Sequence, residues 1–441
     1  MERCFVLFCF LINYLLIFNC VVFAQSDVYL SIKAGSSVYM GVGIEGFEAQ
    51  PPVPGDSTLA VVKSTLIDDL NFSGLFKVKT LNDSLSASSA DLFSKWKNAG
   101  AKIYITGEPK SNNGPINVNA IDLKTGATVL KETYVIQNNR PWYTAHVIVD
   151  DLIQVFTGIR GSMASQIAFI NPYKGKNTEI HIIDADGRNR HQITFSKTLN
   201  ISPNWSRDGK FIAYSSLTNN QWALMKINVN TGQTQTISRW PGLNTSPSWS
   251  PVDNDVLLFS SHRDGNNEIY SARSDGKNVK RLTNHIRIDS GPDWSPDGKQ
   301  IAFSSDRTGQ PEIYVMDSDG SDVRRLTSNM NAYEDSPDWS PRGDRIAFVM
   351  LFDRDFDIAS VSPSGEDVVL LTSAQGSNEN PKWSPDGLRI VFSSSRGGSK
   401  NIYIINWDGT KVRQLTFDGS SFSPSWSLTS LGNDIRVSSK R

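Results

Sequence analysis

Pro292-Asp293-Trp294-Ser295-Pro296-Asp297-Gly298-Lys299-Gln300-Ile301-Ala302-Phe303-Ser304-Ser305 is the stretch that decides the fold. It runs on into Glu312-Ile313-Tyr314-Val315-Met316-Asp317-Ser318-Asp319-Gly320 and then Arg325-Leu326-Thr327. Versions of it surround Trp205, Trp249, Trp294, Trp339, Trp383 and Trp426, spaced 43 to 45 residues apart. Asp208-Gly209, Asp297-Gly298 and Asp386-Gly387 suit tight hairpins, because glycine reaches positive φ without a steric penalty. Each is followed by an alternating apolar run, such as Phe211-Ile212-Ala213-Tyr214 or Ile390-Val391-Phe392, which reads as a strand. A second turn series, Gly187, Gly232, Gly276, Gly320, Gly365 and Gly409, repeats at 44 or 45 residues. One period therefore holds about four short strands.

A repeat of this length with four strands per unit is the signature of a β-propeller blade. A lone blade cannot bury both faces, so six of them must stack radially about a channel. The regular period places the tryptophans between blades as wedges and argues against ligand-stacking aromatics. The ends of the array complement each other: the last unit stops near Trp426-Ser427-Leu428, while Gln166-Ile167-Ala168-Phe169 and Glu179-Ile180-His181-Ile182-Ile183-Asp184 supply strands without a tryptophan of their own. The last blade is predicted to be completed by the first segment, which leaves no dangling edge strand.

The first 24 residues read differently. Arg3 precedes an apolar run over residues 5–23, interrupted by Asn13 and Asn19, and Val22-Phe23-Ala24 fits a signal-peptidase site with cleavage between Ala24 and Gln25. An uncleaved membrane anchor is the other reading of the same run. Cys4, Cys9 and Cys20, the three cysteines, all lie inside it, so a processed chain has no thiol for disulfides, nucleophilic catalysis or metal ligation. With 44 basic against 45 acidic residues there is no global positive field, and nucleic-acid binding has no electrostatic basis.

Residues 37–160 lack the repeat. The pattern predicts a strand over 38–44, an amphipathic helix over 57–70 with Leu59, Val62, Leu66 and Ile67 on one face, and a strand over 76–80. A helix over 90–98 capped by Ser89, a strand over 103–107, a hairpin of 116–122 with 127–135 around Lys124-Thr125-Gly126, and a helix over 142–157 follow. The chain is thus expected to be multidomain: a signal peptide (1–24), a short segment (25–36), a small N-terminal α/β domain (37–160) and a C-terminal six-bladed β-propeller (161–441). Val28, Leu30 and Ile32 alternate like a strand with no hairpin partner, which suits either a terminal edge strand or a segment that pairs with another protein.

Together with the six repeats, Ser73-Gly74-Leu75-Phe76, Trp96-Lys97-Asn98-Ala99-Gly100-Ala101 and the run from Asp150 through Thr157-Gly158-Ile159-Arg160-Gly161 resemble the TolB family, periplasmic propeller proteins of the Tol-Pal system. The propeller repeats alone are shared with tricorn and prolyl-oligopeptidase types; the Thr-Gly-Ile-Arg-Gly junction is more specific. Departures are local: Gly41-Val42-Gly43-Ile44-Glu45-Gly46-Phe47 lacks the family's proline, and Pro251-Val252-Asp253-Asn254 and Pro341-Arg342-Gly343 replace the usual turn. The resemblance implies a periplasmic, non-enzymatic adaptor without cofactor, monomeric before complex formation, that supports outer-membrane integrity and constriction at division. It implies binding of the lipoprotein Pal through one propeller mouth, which makes the protein peripheral to the outer membrane. It also implies binding of TolA through Asp27-Val28-Tyr29-Leu30-Ser31-Ile32-Lys33-Ala34-Gly35.

The repeats point to the mouth. The residues three and two places before each repeat proline are Asn200, Asn244, Asp289, Glu334 with Asp335, Asn378 with Glu379, and Phe422. Such a ring of amides and carboxylates suits a partner's main chain or a basic side chain, and it equally suits turn capping. Catalytic signatures are lacking. No Gly-x-Ser-x-Gly elbow occurs, and His146, His181, His191, His262 and His285 show no His-Glu-x-x-His spacing. Asp184-Ala185-Asp186-Gly187 and Asp317-Ser318-Asp319-Gly320 lack the closing glutamate of a calcium loop. A propeller that binds or processes a small molecule or peptide is the alternative function.

Overall fold

The computed structural model describes residues 39–48, 57–81, 89–110, 114–137, 139–173, 175–327, 333–352, 354–427 and 435–436. The predicted signal peptide with its Ala24/Gln25 junction and the segment from Asp27 to Gly35 lie outside the described residues.

The non-repeat region is a five-stranded sheet with three helices. Strand β1 (Met40–Gly46) lies between β2 (Phe76–Val78) and β3 (Ile103–Pro109), parallel to both. Strands β4 (Ile116–Asp122) and β5 (Thr128–Tyr134) continue as an antiparallel meander, so the order is β2-β1-β3-β4-β5. Helix α1 (Thr58–Phe72) buries Leu59, Val62, Leu66 and Leu70, an apolar stripe at three- and four-residue spacing. Its end is set by Ser73, whose hydroxyl donates to the Leu70 carbonyl (2.6 Å) and accepts from the Leu75 N–H (3.1 Å). Helix α2 (Ser89–Asn98) carries Trp96, which lies so close to the sheet that a Cβ on Gly43 would stand 2.5 Å from its ring. Helix α3 (Pro141–Thr157) starts on a proline and stops at left-handed Gly158 (φ 77°), as helix ends favour. Nearly all of α3 is buried, because it is packed on both sides. All of these elements fall within a few residues of the predicted ones.

The repeats form six four-stranded antiparallel sheets. We number the blades by their inner strands: I (Asn200–Trp205), II (Asn244–Trp249), III (Asp289–Trp294), IV (Glu334–Trp339), V (Asn378–Trp383) and VI (Phe422–Trp426). Blade VI draws its other strands, Gln166–Pro172, Thr178–Asp184 and His191–Gln192, from the start of the array, and so closes the ring. The tryptophans wedge between blades: Trp339 packs on Ala302, Ile313, Val315 and Leu326 of blade III and on Ile346 and Phe348 of its own.

Two recurring polar letters of the repeat make bonds that hold the blade together. The serine after the tryptophan clamps the first turn: Ser295 Oγ donates to Asp297 (2.7 Å) and accepts from the Gln300 N–H (2.9 Å). The threonine of Arg-Leu-Thr staples the outer strand: Thr283, Thr372 and Thr416 accept from the Ile269, Ile358 and Ile402 N–H, each at 2.9 Å. In the departing turn of blade II, the Asp253 carboxylate takes the Asp255 N–H (2.8 Å) and no glycine is needed; in blade IV, Gly343 supplies φ 73°.

Inner strands run from one face of the ring to the other, so the loops that lead into them share a face and the Asp-Gly turns share the opposite one. The α/β domain sits on the latter, which we call the tryptophan face. Lys411 of blade V bonds the Asn71 carbonyl, Arg413 lies 3.9 Å over the Phe72 ring, and Ser162 donates to Asp386 (2.8 Å). Near the C-terminus, Arg436 bridges to Tyr134 and pairs with Asp151 on α3, tying the region after blade VI back to β5.

Candidate partner interface at the channel and the domain junction

Every inner strand is bulged at the residue before its proline. Ser202, Ser246, Gly291, Ser336, Asn380 and Ser423 have φ between 50° and 60°, and the strand register slips there in all six blades. Proline cannot donate to a sheet ladder and is at home at a bulge. Holding five non-glycine residues in this region costs about 1 kcal/mol or more each, a cost that the surrounding ring of blades must offset. The bulges line a waist of about 80 Å³ together with the six prolines.

Below the waist, on the tryptophan face, the channel widens to about 360 Å³, lined by the six tryptophans with Asp293, Asp338 and Lys382. In blades I to IV the residue before the tryptophan reaches across to the next blade. Asp293 accepts from the Trp339 N–H (2.8 Å), Asp338 from the Trp383 N–H (2.6 Å), and Asn204 from the Trp249 N–H (3.1 Å). Lys382 donates to Asp338 at 2.7 Å. Burial and the neighbouring Asp338 push Asp293 up to about 6, Lys382 only partly offsetting them; burial disfavours the Lys382 charge, yet Asp338 and Asp293 hold its pKa above the ordinary value.

At the opposite mouth the structure divides the predicted ring in two. Asn200, Asn244, Asp289, Glu334 and Asn378 are buried and cannot meet a partner directly. Each is consumed by the fold. Asn200 Nδ2 donates to the Thr178 carbonyl of blade VI (2.7 Å), and Asn244 accepts from Ser261 (2.7 Å). Asp289 pairs with Arg307 (2.7 Å), Glu334 accepts from Thr327 of blade III, and Asn378 accepts from Arg396 (3.0 Å) and donates to Asp357 of blade IV (3.0 Å). These bonds join blades to each other and to their own turns, the capping role that the sequence also allowed for these five. One residue further on, Ile201, Thr245, Ser290, Asp335, Glu379 and Phe422 are half-buried. Asp335 accepts from Ser304 (2.7 Å) and lies beside the waist residue Gly291, while Glu379 takes Lys400 on both oxygens (2.9 and 2.8 Å).

The Thr-Gly-Ile-Arg-Gly junction stands out in the sequence, but the His146 contact beside it does not. His146, buried on α3, bonds Asp69 of α1 through Nδ1 (2.5 Å) and Asp186 of blade VI through Nε2 (3.0 Å). Burial opposes charging the ring, but the two carboxylates outweigh it and push the pKa up to about 10, while Asp186, itself buried, is held below the usual range by the imidazolium. Arg140 pairs with Asp184 (2.9 Å), so the acidic turn considered for calcium is engaged by the α/β domain. Asp150 accepts from the Met163 and Ala164 N–H (2.7 and 3.0 Å), fixing the Thr-Gly-Ile-Arg-Gly junction between the domains.

Comparison with known proteins agrees with this architecture. Residues 153–430 match the family described as TolB beta propeller domain. A TolB homolog of Chlorobium luteolum is 33% identical over 339 residues, 76% of this chain and 77% of that protein. One of Chlorobium chlorochromatii is 32% identical over 292 residues, 64% of each, so the match spans just under two thirds of that relative. The crystal structure of TolB from Acinetobacter baumannii superposes with a TM-score of 0.76 at 27% identity, covering 90% of this chain and 99% of that one. The family match spans more than half of the chain, and the chain belongs to the TolB family.

Proposed function

We propose that the protein is a non-enzymatic periplasmic adaptor of the Tol-Pal system, which binds the lipoprotein Pal at the propeller mouth and TolA through residues 27–35. In this role it supports outer-membrane integrity and constriction at division. The observation that carries the reading is the division of labour between the two faces of the ring. The tryptophan face holds the α/β domain through His146, Lys411 and Arg413, whereas the opposite mouth keeps a half-open ring that includes two carboxylates, Asp335 and Glu379. Among the described residues no helix is long and apolar enough to cross a membrane.

The test is retention of the purified chain by the soluble domain of a Pal-type lipoprotein. A folded chain that is not retained sinks the proposal. Removing residues 25–35 is expected to abolish capture by TolA and to leave Pal binding intact; unchanged TolA capture would refute the role given to that segment. A ligand-binding propeller is the second reading, favoured by the cavity on the tryptophan face with Asp293 pushed up to about 6; consumption of a small molecule or peptide by the pure protein would support it.

A further inference from the structure

The loops leading into the inner strands carry the most exposed large apolar side chains among the described residues. These are Ile286 (90% exposed), Phe417 (79%) and Phe195 (72%). They stand at the II–III, V–VI and VI–I junctions, all on the mouth face, opposite the α/β domain. Leu243 at the I–II junction is exposed as well, and Tyr173, in the turn between the second and third strands of blade VI, is exposed on the same face. A single exposed apolar residue is ordinary on a protein surface. Here four consecutive junctions each present one on the same face, an arrangement that marks an interaction surface. The IV–V junction differs: it reads Ser373-Ala374-Gln375-Gly376-Ser377 and lies next to Asp335 and Glu379, with Leu351 of blade IV (38% exposed) the apolar exception nearby. Glu379 already holds Lys400, whereas the hydrogen bonds to Asp335 come from the uncharged Ser304, Tyr333 and Ser336.

We infer that this arc is the main affinity-bearing surface of the mouth, and that it receives an apolar ridge of a folded protein partner which also presents a lysine or arginine to Asp335. The inference rests on the reading of this mouth as the partner site. Exposed aromatics give contact area at small entropic cost and dominate binding where they are desolvated, and a carboxylate that has no cation partner among the described residues, on the far side, fixes orientation by charge. The structure thus assigns strength to the V–VI through II–III sector and orientation to blade IV.

The experiment measures binding of the soluble domain of a Pal-type lipoprotein by titration calorimetry, with thermal melts of each variant. Phe195→Ser combined with Phe417→Ser is expected to weaken binding at least about tenfold with an unchanged melt. Binding by the unsubstituted chain with no loss in the double variant overturns this inference and leaves the adaptor reading standing; no binding by the unsubstituted chain overturns the adaptor reading itself. Should the double variant melt early, Ile286→Ser, at the most exposed position, provides the second readout: weaker binding supports the arc and unchanged binding overturns it. Sedimentation with phosphatidylethanolamine–phosphatidylglycerol vesicles covers the competing occupant. Vesicle binding that disappears in the double variant while lipoprotein binding persists would make the arc a lipid-contact surface and overturn the proposal.

Discussion

Two rings of side chains lie one residue apart at the same end of the inner strands, and their fates differ. Asn200, Asn244, Asp289, Glu334 and Asn378 are buried and bonded, while Ile201, Thr245, Ser290, Asp335, Glu379 and Phe422 stay half-open. The first ring is chemically uniform, all amide or carboxylate. The second is varied: two aliphatic or aromatic residues, two hydroxyls and two acids. Uniformity follows from a recurring task, namely hydrogen bonding to the preceding blade or to the blade's own turn. Variety is what a single asymmetric partner would require, since it meets each blade in a different way.

The comparison breaks most visibly if a member of the first ring is removed. Asp289→Ala would leave the Arg307 guanidinium without its carboxylate in a largely buried site, and loss of one partner of a buried pair costs about 3–5 kcal/mol. Arg307 also lies 5.5 Å from the centroids of both Phe303 and Tyr314, which restrains its escape to solvent. Urea denaturation should show the midpoint falling steeply, with lipoprotein binding intact under conditions where the variant is folded. A variant of unchanged stability but impaired binding would return Asp289 to the contact ring.

The domain junction gives the next effect, and its sign can be worked out. The folded pKa of His146 is raised from 6.5 to about 10, so its stabilisation is complete below pH 6.5 and is lost progressively as pH rises toward 10. At about 1.4 kcal/mol per pKa unit, the full shift amounts to several kcal/mol. Arg188 pairs with Asp186 and Arg413 lies near Asp69, so each carboxylate has a guanidinium beside it as well as the imidazole. Thermal melts between pH 6 and pH 10 should fall for the unsubstituted chain, and His146→Gln should start lower and lose this part of the slope. Parallel curves for the two proteins would mean that His146 does not carry the coupling.

The fold was legible because the repeat states its own rules six times. The Asp-Gly turns, the alternating runs and the missing strand of the last unit give blade count, strand count and ring closure, and α1 and α3 announce themselves by apolar spacing and by Pro141 and Gly158. The division between the two polar rings was not legible. In Glu334-Asp335 and Asn378-Glu379 the adjacent residues are chemically alike, and the partner that buries Asp289 is Arg307, 18 residues on in a turn, with no pattern in the strand to announce it. His146 lies outside the repeat, and its partners are 77 and 40 residues away on two different elements. Periodicity reports what the blades share, so a contact made once between domains leaves no periodic trace.

The smallest expected effect on stability is the one that sharpens the comparison most. Asp335→Asn keeps the size of the side chain and, with its one oxygen turned toward Ser304, the acceptor there; its NH2 then faces the Tyr333 hydroxyl, which can accept in turn, and the charge is removed. Because the group is half-open and its bonds come from neutral donors, stability should move by no more than about 0.5 kcal/mol. Glu379→Gln should behave alike in stability, since its pair with the 43%-exposed Lys400 is a surface pair worth about 0–1 kcal/mol. The two should part in binding. Asp335 has a charge to offer a partner, so its loss should slow association and flatten the dependence of affinity on salt, because a screened attraction is what has been deleted. Glu379→Gln instead frees Lys400, which adds a positive charge to the mouth and should weaken capture of a basic side chain through repulsion. Association rates measured at two ionic strengths separate the two mechanisms, and identical salt slopes for both variants and the parent would show that the second ring, like the first, belongs to the architecture.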